Sequence, residues 1–145
     1  MTKSNKPSTL PVEPHYDIAV ACAIIISHQK ILVVQRSKTM DMPNCWEFPG
    51  GKLLLNETAS NCVIREIEEE LHIYITPIEQ LSTVYYQYPQ KSIKLIPFIC
   101  QQIGGILQLS EHQNYKWCSP HELQTLHWSA ADIPIIEELV QKINF

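Results

Sequence analysis

The 145-residue chain has no apolar run long enough to cross a bilayer, no internal repeat and no low-complexity block. It has no excess of basic residues either: the formal net charge is −4. That excludes the broad positive footprint of a nucleic-acid polymer binder. A nucleotide stays open as a ligand, because a bound cation reverses the field within one cleft. The five cysteines are odd in number, scattered, and never form a CxxC pair. This excludes a disulfide framework and structural zinc, and it predicts a reducing, cytoplasmic setting. Cys62 and Cys100 fall within apolar patterns and read as small core residues. Residues 1–16, MTKSNKPSTLPVEPHY, lack the apolar centre of a signal peptide and predict a disordered leader ahead of one domain over residues 17–145.

The chain is organised around residues 50–73, GGKLLLNETASNCVIREIEEELHI. A glycine pair leads through a short loop into a helix carrying Glu66, Glu69 and Glu70. Residues three and four apart share a helix face, so these carboxylates are expected to converge while Glu68 points elsewhere. Val63, Ile67 and Leu71, with Ile64 beside them, form the opposite apolar stripe. Like charges so spaced repel and destabilise the helix, a conflict that a hard divalent cation with oxygen ligands removes.

The spacing around that cluster resembles the Nudix box, G-x5-E-x7-R-E-U-x-E-E-x-G-U, with U a bulky apolar residue. Eight of its nine defined positions match: Gly51, Glu57, Arg65, Glu66, Ile67, Glu69, Glu70 and Ile73. His72 stands where the pattern has glycine. Helices commonly end in a left-handed residue there, and histidine tolerates that conformation at a cost of about 1 kcal/mol. Leu54 and Asn56 replace residues frequent in the family, glutamate and glycine, and Asn56 is read as a possible helix cap.

The resemblance to Nudix hydrolases, in particular MutT-like members, covers residues 17–143 and implies an α/β fold, a mixed sheet in an α/β/α sandwich. It implies that Glu66, Glu69 and Glu70 hold Mg²⁺, with Mn²⁺ as a substitute, and that the Gly50 carbonyl is a further ligand. Glu57 and Arg65 would form a supporting salt bridge. Glu111, in the segment EHQNYKWCSP, would bind metal or activate water, and Glu66 or Glu111 would serve as base. Arg36 would contact phosphate. The WEFPGG lead-in, residues 46–51, also resembles MutT-like proteins and makes Phe48 a candidate substrate contact; Trp46 reads as core. Lys52 is placed to offset phosphate charge.

Outside the box, IAVACAIIIS (residues 18–27) and residues 31–36 predict a hairpin turning at 28–30. Residues 74–88 and 92–102 predict a second, with its turn at Tyr88-Pro89-Gln90-Lys91, and Pro97 suggests an edge position or a bulge. Gly104-Gly105 breaks the pattern, and residues 115–118 read as a short strand. Ser119-Pro120-His121-Glu122 is a capping box. The last helix is expected near Asp132 with Ile135, Ile136, Leu139, Val140 and Ile143 on its buried face. Asp132 has two readings. It is the N-cap of that helix, or the nucleobase contact implied by the likeness of WCSP…SAADIPIIEEL to bacterial CTP pyrophosphohydrolases. An aspartate accepts from cytosine N4 or from a guanine edge.

The expected activity is hydrolysis of a nucleoside triphosphate to the monophosphate and pyrophosphate, a housecleaning reaction on oxidised dGTP or CTP-type nucleotides by a monomer or homodimer. Two rivals are hydrolysis of ADP-ribose or a dinucleoside polyphosphate, and a non-catalytic nucleotide-binding module. Product analysis separates the first rival, and the complete carboxylate set argues against the second.

Overall fold

A computed structural model describes residues 12–142. In chain order the elements are β1 (Ile18–Ser27), β2 (Lys30–Gln35), β3 (Trp46–Glu47), β4 (Gly50–Lys52), α1 (Ala59–Leu71), β5 (Ile73–Gln80), β6 (Val84–Gln87), β7 (Ser92–Gly105), β8 (Asn114–Cys118), α2 (Pro120–Leu123), a 3₁₀ turn (Ala130–Asp132) and α3 (Ile133–Lys142). The sheet runs β3-β2-β1-β7-β5, with β4 on β1, β6 on β7 and β8 on β2. β1 and β7 are parallel from Ile18↔Ile93 to Ile25↔Cys100, and the other pairings are antiparallel, so the sheet is mixed.

Strand side chains alternate between faces, and both faces of β1 are covered. Ala21, Ala23 and Ile25 pack with Leu32 and Val34 against Cys62, Val63, Ile67 and Leu71 of α1. Cys22 and Ile24 pack with Ile31 and Val33 against Trp128 and the α3 residues Ile135, Ile136 and Leu139. The result is the expected helix–sheet–helix sandwich. All five cysteines are buried thiols without disulfide partners. No helix among the described residues is long and apolar enough to cross a membrane.

The first hairpin turns through His28 and Gln29, both left-handed at φ 51° and 63°, as a two-residue turn between twisted strands requires. Along β1 the antiparallel neighbour changes: β2 pairs at Ile26 and Ser27, and β4 pairs at Val20, Ala21 and Cys22. That fork leaves Gly50 and Gly51 pressed against β1 and opens the cleft described below.

Several expectations are revised. Residues 74–88 form two strands, β5 and β6, because the chain dips inward at buried Leu81, whose N–H binds the Pro97 carbonyl at 2.9 Å. Pro97 therefore lies in a central strand rather than at an edge, opposite the gap between β5 and β6 where no partner asks for its missing N–H. Gly104 and Gly105 continue β7, paired with Tyr74 and Ile73. Thr58, not Asn56, caps α1 by accepting from the Asn61 N–H at 3.1 Å. Asn56 is left-handed at φ 63°, the conformation that the glycine frequent in the family adopts freely. His72 ends α1 at φ 59°, ψ 28°, left-handed as expected. Val140 is 42% exposed rather than buried, and Ile143 lies outside the described residues. So do residues 1–11 of the expected leader; after them, Glu13 accepts from the Tyr85 hydroxyl and pairs with Lys94, both at 2.6 Å.

Candidate active site

α1 buries its apolar stripe on the sheet, which turns Glu66 and Glu70, one turn apart, toward the glycine pair of β4. One oxygen of each carboxylate, Oε2 in both cases, is buried with no hydrogen-bond partner. Glu66 lies so close to Gly51 that a Cβ there would stand 2.2 Å from its carboxyl carbon. Burial raises the Glu66 pKa, Arg65 opposes this, and the charges of Glu69 and Glu111 add to it. Burial pushes Glu70 further, to about 9, with repulsion from Glu66, Glu47 and Glu111 and an opposing backbone hydrogen bond from Gly50. Glu69 differs: its side chain is 58% exposed and accepts from Arg65 Nη1 at 3.3 Å. The expected three-way convergence is thus two carboxylates inward and one at the rim. Among the described residues, no three acidic, histidine or cysteine side chains are drawn around one ion-sized point.

Arg65 grips Glu57 at two points, Nε to Oε2 at 2.7 Å and Nη2 to Oε1 at 2.9 Å, and Nη2 also donates to the Lys52 carbonyl at 3.1 Å. It therefore ties the box loop, β4 and α1 together. Arg65 chiefly, with the Leu54 N–H, holds the Glu57 carboxyl down at about 2. A depressed folded-state pKa means stability present above the unfolded value, 4.5, and lost as pH falls toward about 2. In urea unfolding at stepped pH, Glu57→Gln should be less stable than the wild type at pH 6, and that gap should close across this window.

The loop between β7 and β8 hangs from the end of α1. Gln108 and Ser110 donate their N–H groups to the carbonyls of Leu71 and Glu70, at 3.0 and 3.1 Å. These carbonyls have no partner within the helix, so the loop satisfies them. It brings Glu111 near enough for its charge to act on both Glu66 and Glu70. The next residue, His112, is buried and contacts Glu47 Oε2 through Nε2 at 2.8 Å. Glu47 also accepts from Arg36 Nη1, at 3.0 and 3.2 Å.

A cavity of about 340 Å³ joins these parts. Arg36, Phe48, Gly50, Lys52, Glu70 and Asp132 all line it; Glu57, Arg65, Glu66, Glu69 and Glu111 lie outside its lining. Arg36 faces the cavity with its guanidinium engaged by Glu47 and the Asp41 carbonyl. Phe48 is buried, its ring centroid 4.9 Å from that of Trp128. Asp132 is not the cap of α3. Its Oδ2 accepts the Phe48 N–H at 3.1 Å from across the fold, and burial, then the Glu47 charge, raises its pKa well above the ordinary value. Trp46 packs in the core beside Trp128, outside the cavity lining. Glu47, His112 and Tyr88 line the cavity without having been singled out in the sequence. For Glu47 the available signal was its place inside WEFPGG, and for His112 its adjacency to Glu111.

The model of the NUDIX domain family matches residues 15–139, nearly the whole described chain. The chain is a Nudix hydrolase. It is 37% identical over 120 residues to a CTP pyrophosphohydrolase of Escherichia coli, covering 83% of this chain and 89% of that one. It is 30% identical over 126 residues to an 8-oxo-dGTP diphosphatase of Buchnera aphidicola, covering 87% and 95%. The crystal structure of a MutT protein from Methanosarcina mazei superposes with a TM-score of 0.78 at 25% identity, covering 86% of this chain and 94% of that one. Nudix hydrolases generally use divalent metal ions, and this Nudix hydrolase fits one. Two buried carboxylate oxygens lack a donor, and the donor set of Glu66 and Glu70 is oxygen throughout, as a hard cation requires.

Proposed function

We propose that this protein hydrolyses nucleoside triphosphates to the monophosphate and pyrophosphate, with Mg²⁺ or, in its place, Mn²⁺, as a nucleotide-pool housecleaning enzyme of the cytoplasm. The observation that carries this reading is one cavity lined both by Glu70 with the Gly50-Gly51 pair and by Asp132. Glu70 and Gly50 bring oxygen ligands to it and Asp132 a buried carboxyl group with its backbone contact, which suits the triphosphate and the base of one ligand.

Glu66, Glu70 and Glu69 would hold the cation, with the Gly50 carbonyl and Glu111. When bound, it neutralises phosphoryl charge and lowers the pKa of its water. Arg65, held by Glu57, keeps the helix in register with β4 through its bond to the Lys52 carbonyl. Lys52 and Arg36 line the phosphate side, where Arg36 would exchange part of its contact with Glu47 for phosphate oxygens. Phe48, backed by Trp128 in the core, forms the apolar wall beside the base, and Asp132, whose Oδ2 accepts the Phe48 N–H, presents its carboxyl group to the base edge.

Turnover with Mg²⁺ across normal and oxidised nucleoside triphosphates, with products resolved, tests this. The expected result is monophosphate plus pyrophosphate, abolished by EDTA and restored by Mg²⁺ or Mn²⁺. Preferential release of AMP and a sugar phosphate from ADP-ribose would overturn it. Asp132→Ala should change the ranking among bases by about tenfold, the worth of one discriminating contact of about 1–3 kcal/mol.

A further inference from the structure

Glu111 makes no side-chain hydrogen bond among the described residues, yet its charge acts on Glu66 and Glu70. Its position is therefore set by its neighbours in the chain. On one side Ser110 is fastened to α1, N–H to the Glu70 carbonyl at 3.1 Å and Oγ to the Glu69 carbonyl at 3.2 Å. On the other side stands His112, with a side chain only 2% exposed. A carboxylate only accepts, so the hydrogen in the 2.8 Å contact with Glu47 sits on His112 Nε2. Glu47 is held from its far side by Arg36, and three residues on comes Gly50. Gln113 then joins the Gln35 carbonyl at 3.0 Å and Asn44 Oδ1 at 2.9 Å.

We infer that His112 is a positioning residue: its bond to Glu47 locks the Glu111 loop to β3, three residues ahead of Gly50, so that ligands from two separate segments are held at one spacing. The inference rests on the metal site proposed above and adds a residue to it that acts through Glu47 and not as a ligand. Groups that orient ligands in this way typically change metal affinity or activity by about 10–100-fold when removed.

The test is Mn²⁺ binding to the full chain without nucleotide, followed by electron paramagnetic resonance, alongside kcat and KM. For His112→Ala the expected result is about tenfold weaker Mn²⁺ binding and a kcat about 10–100-fold lower, with KM for the nucleotide within about twofold. His112→Gln, whose amide reaches Glu47, should recover most of both; His112→Asn, one carbon shorter, should not. A folded His112→Ala that binds Mn²⁺ like the wild type would overturn the role. Should the alanine variant not fold, equal Mn²⁺ affinities for the glutamine and asparagine variants would overturn it as well. Wild-type protein that binds no Mn²⁺ would instead sink the metal site itself, a separate and visible failure.

Discussion

Glu66→Gln or Glu70→Gln should lower kcat by about a thousandfold or more, a barrier increase of about 4 kcal/mol, while making the cation-free protein harder to unfold. Both effects come from the same buried oxygens. Each carboxylate keeps one oxygen away from water and from any donor, an arrangement that costs stability until something positive arrives. Glu70 titrates at about 9 in the fold and at 4.5 when unfolded. Above pH 4.5 the unfolded chain gains from ionising this group and the folded chain does not, so the penalty grows as pH rises toward about 9. Glutamine removes it and should add about 1–3 kcal/mol at pH 7, with no gain below pH 4. Glu69, exposed and engaged with Arg65, should show the smallest stability change of the three. Thermal or urea unfolding without added metal, beside pyrophosphate release with Mg²⁺, measures both sides. A glutamine variant that loses stability and keeps turnover would contradict the assignment.

The two glycines should fail in opposite ways. At Gly50 a Cβ would lie 2.0 Å from the Ala21 carbonyl oxygen and 2.7 Å from the Cys22 Cα. Those are backbone atoms of β1, held in the middle of the sheet, so Gly50→Ala must spread β4 from β1. A loss of about 3 kcal/mol is expected, at the upper end of overpacking costs. At Gly51 the clash is with the carboxyl group of Glu66, the far end of a flexible side chain. Gly51→Ala should therefore fold with stability within about 1 kcal/mol of wild type, since the obstacle rotates away. What it loses is the Glu66 position, and kcat should fall about a hundredfold, the scale of misplacing a reacting group by an ångström. Unfolding curves and initial rates on the two variants give a crossed pattern. Equal losses in both columns would show that Glu66 does not need that place.

The box helix was legible because its signals are local. Val63, Ile67 and Leu71 repeat at helical spacing, and the left-handed end at His72 belongs to the chain beside it. The flanking strands were legible for the same reason, and so was the tight turn at residues 88–91, closed by the Tyr88 N–H on the Lys91 carbonyl. The misread features depend on partners distant in sequence. An aspartate before Ile-Pro-Ile satisfies every local rule for a cap, but the Phe48 N–H, 84 residues away, claims it instead. Glu47 and His112 are 65 residues apart, and nothing in the neighbourhood of either announces the other. Pro97 suggested an edge or a bulge, and the edge reading fails because the break in its partner strand, at Leu81, carries no proline or glycine to mark it. Glu69 shares a face with Glu66 by angle alone; Arg65, one turn earlier, draws it outward.

The arm bearing Glu111 rests at its start on carbonyl groups that every helix end leaves over, and at its finish on the Gln35 carbonyl of β2. Between those fastenings, descendants of this chain can exchange the residue at position 111 for a longer or shorter one without shifting any strand register. Reach toward the phosphates becomes an evolvable quantity, adjustable separately from the scaffold that carries it.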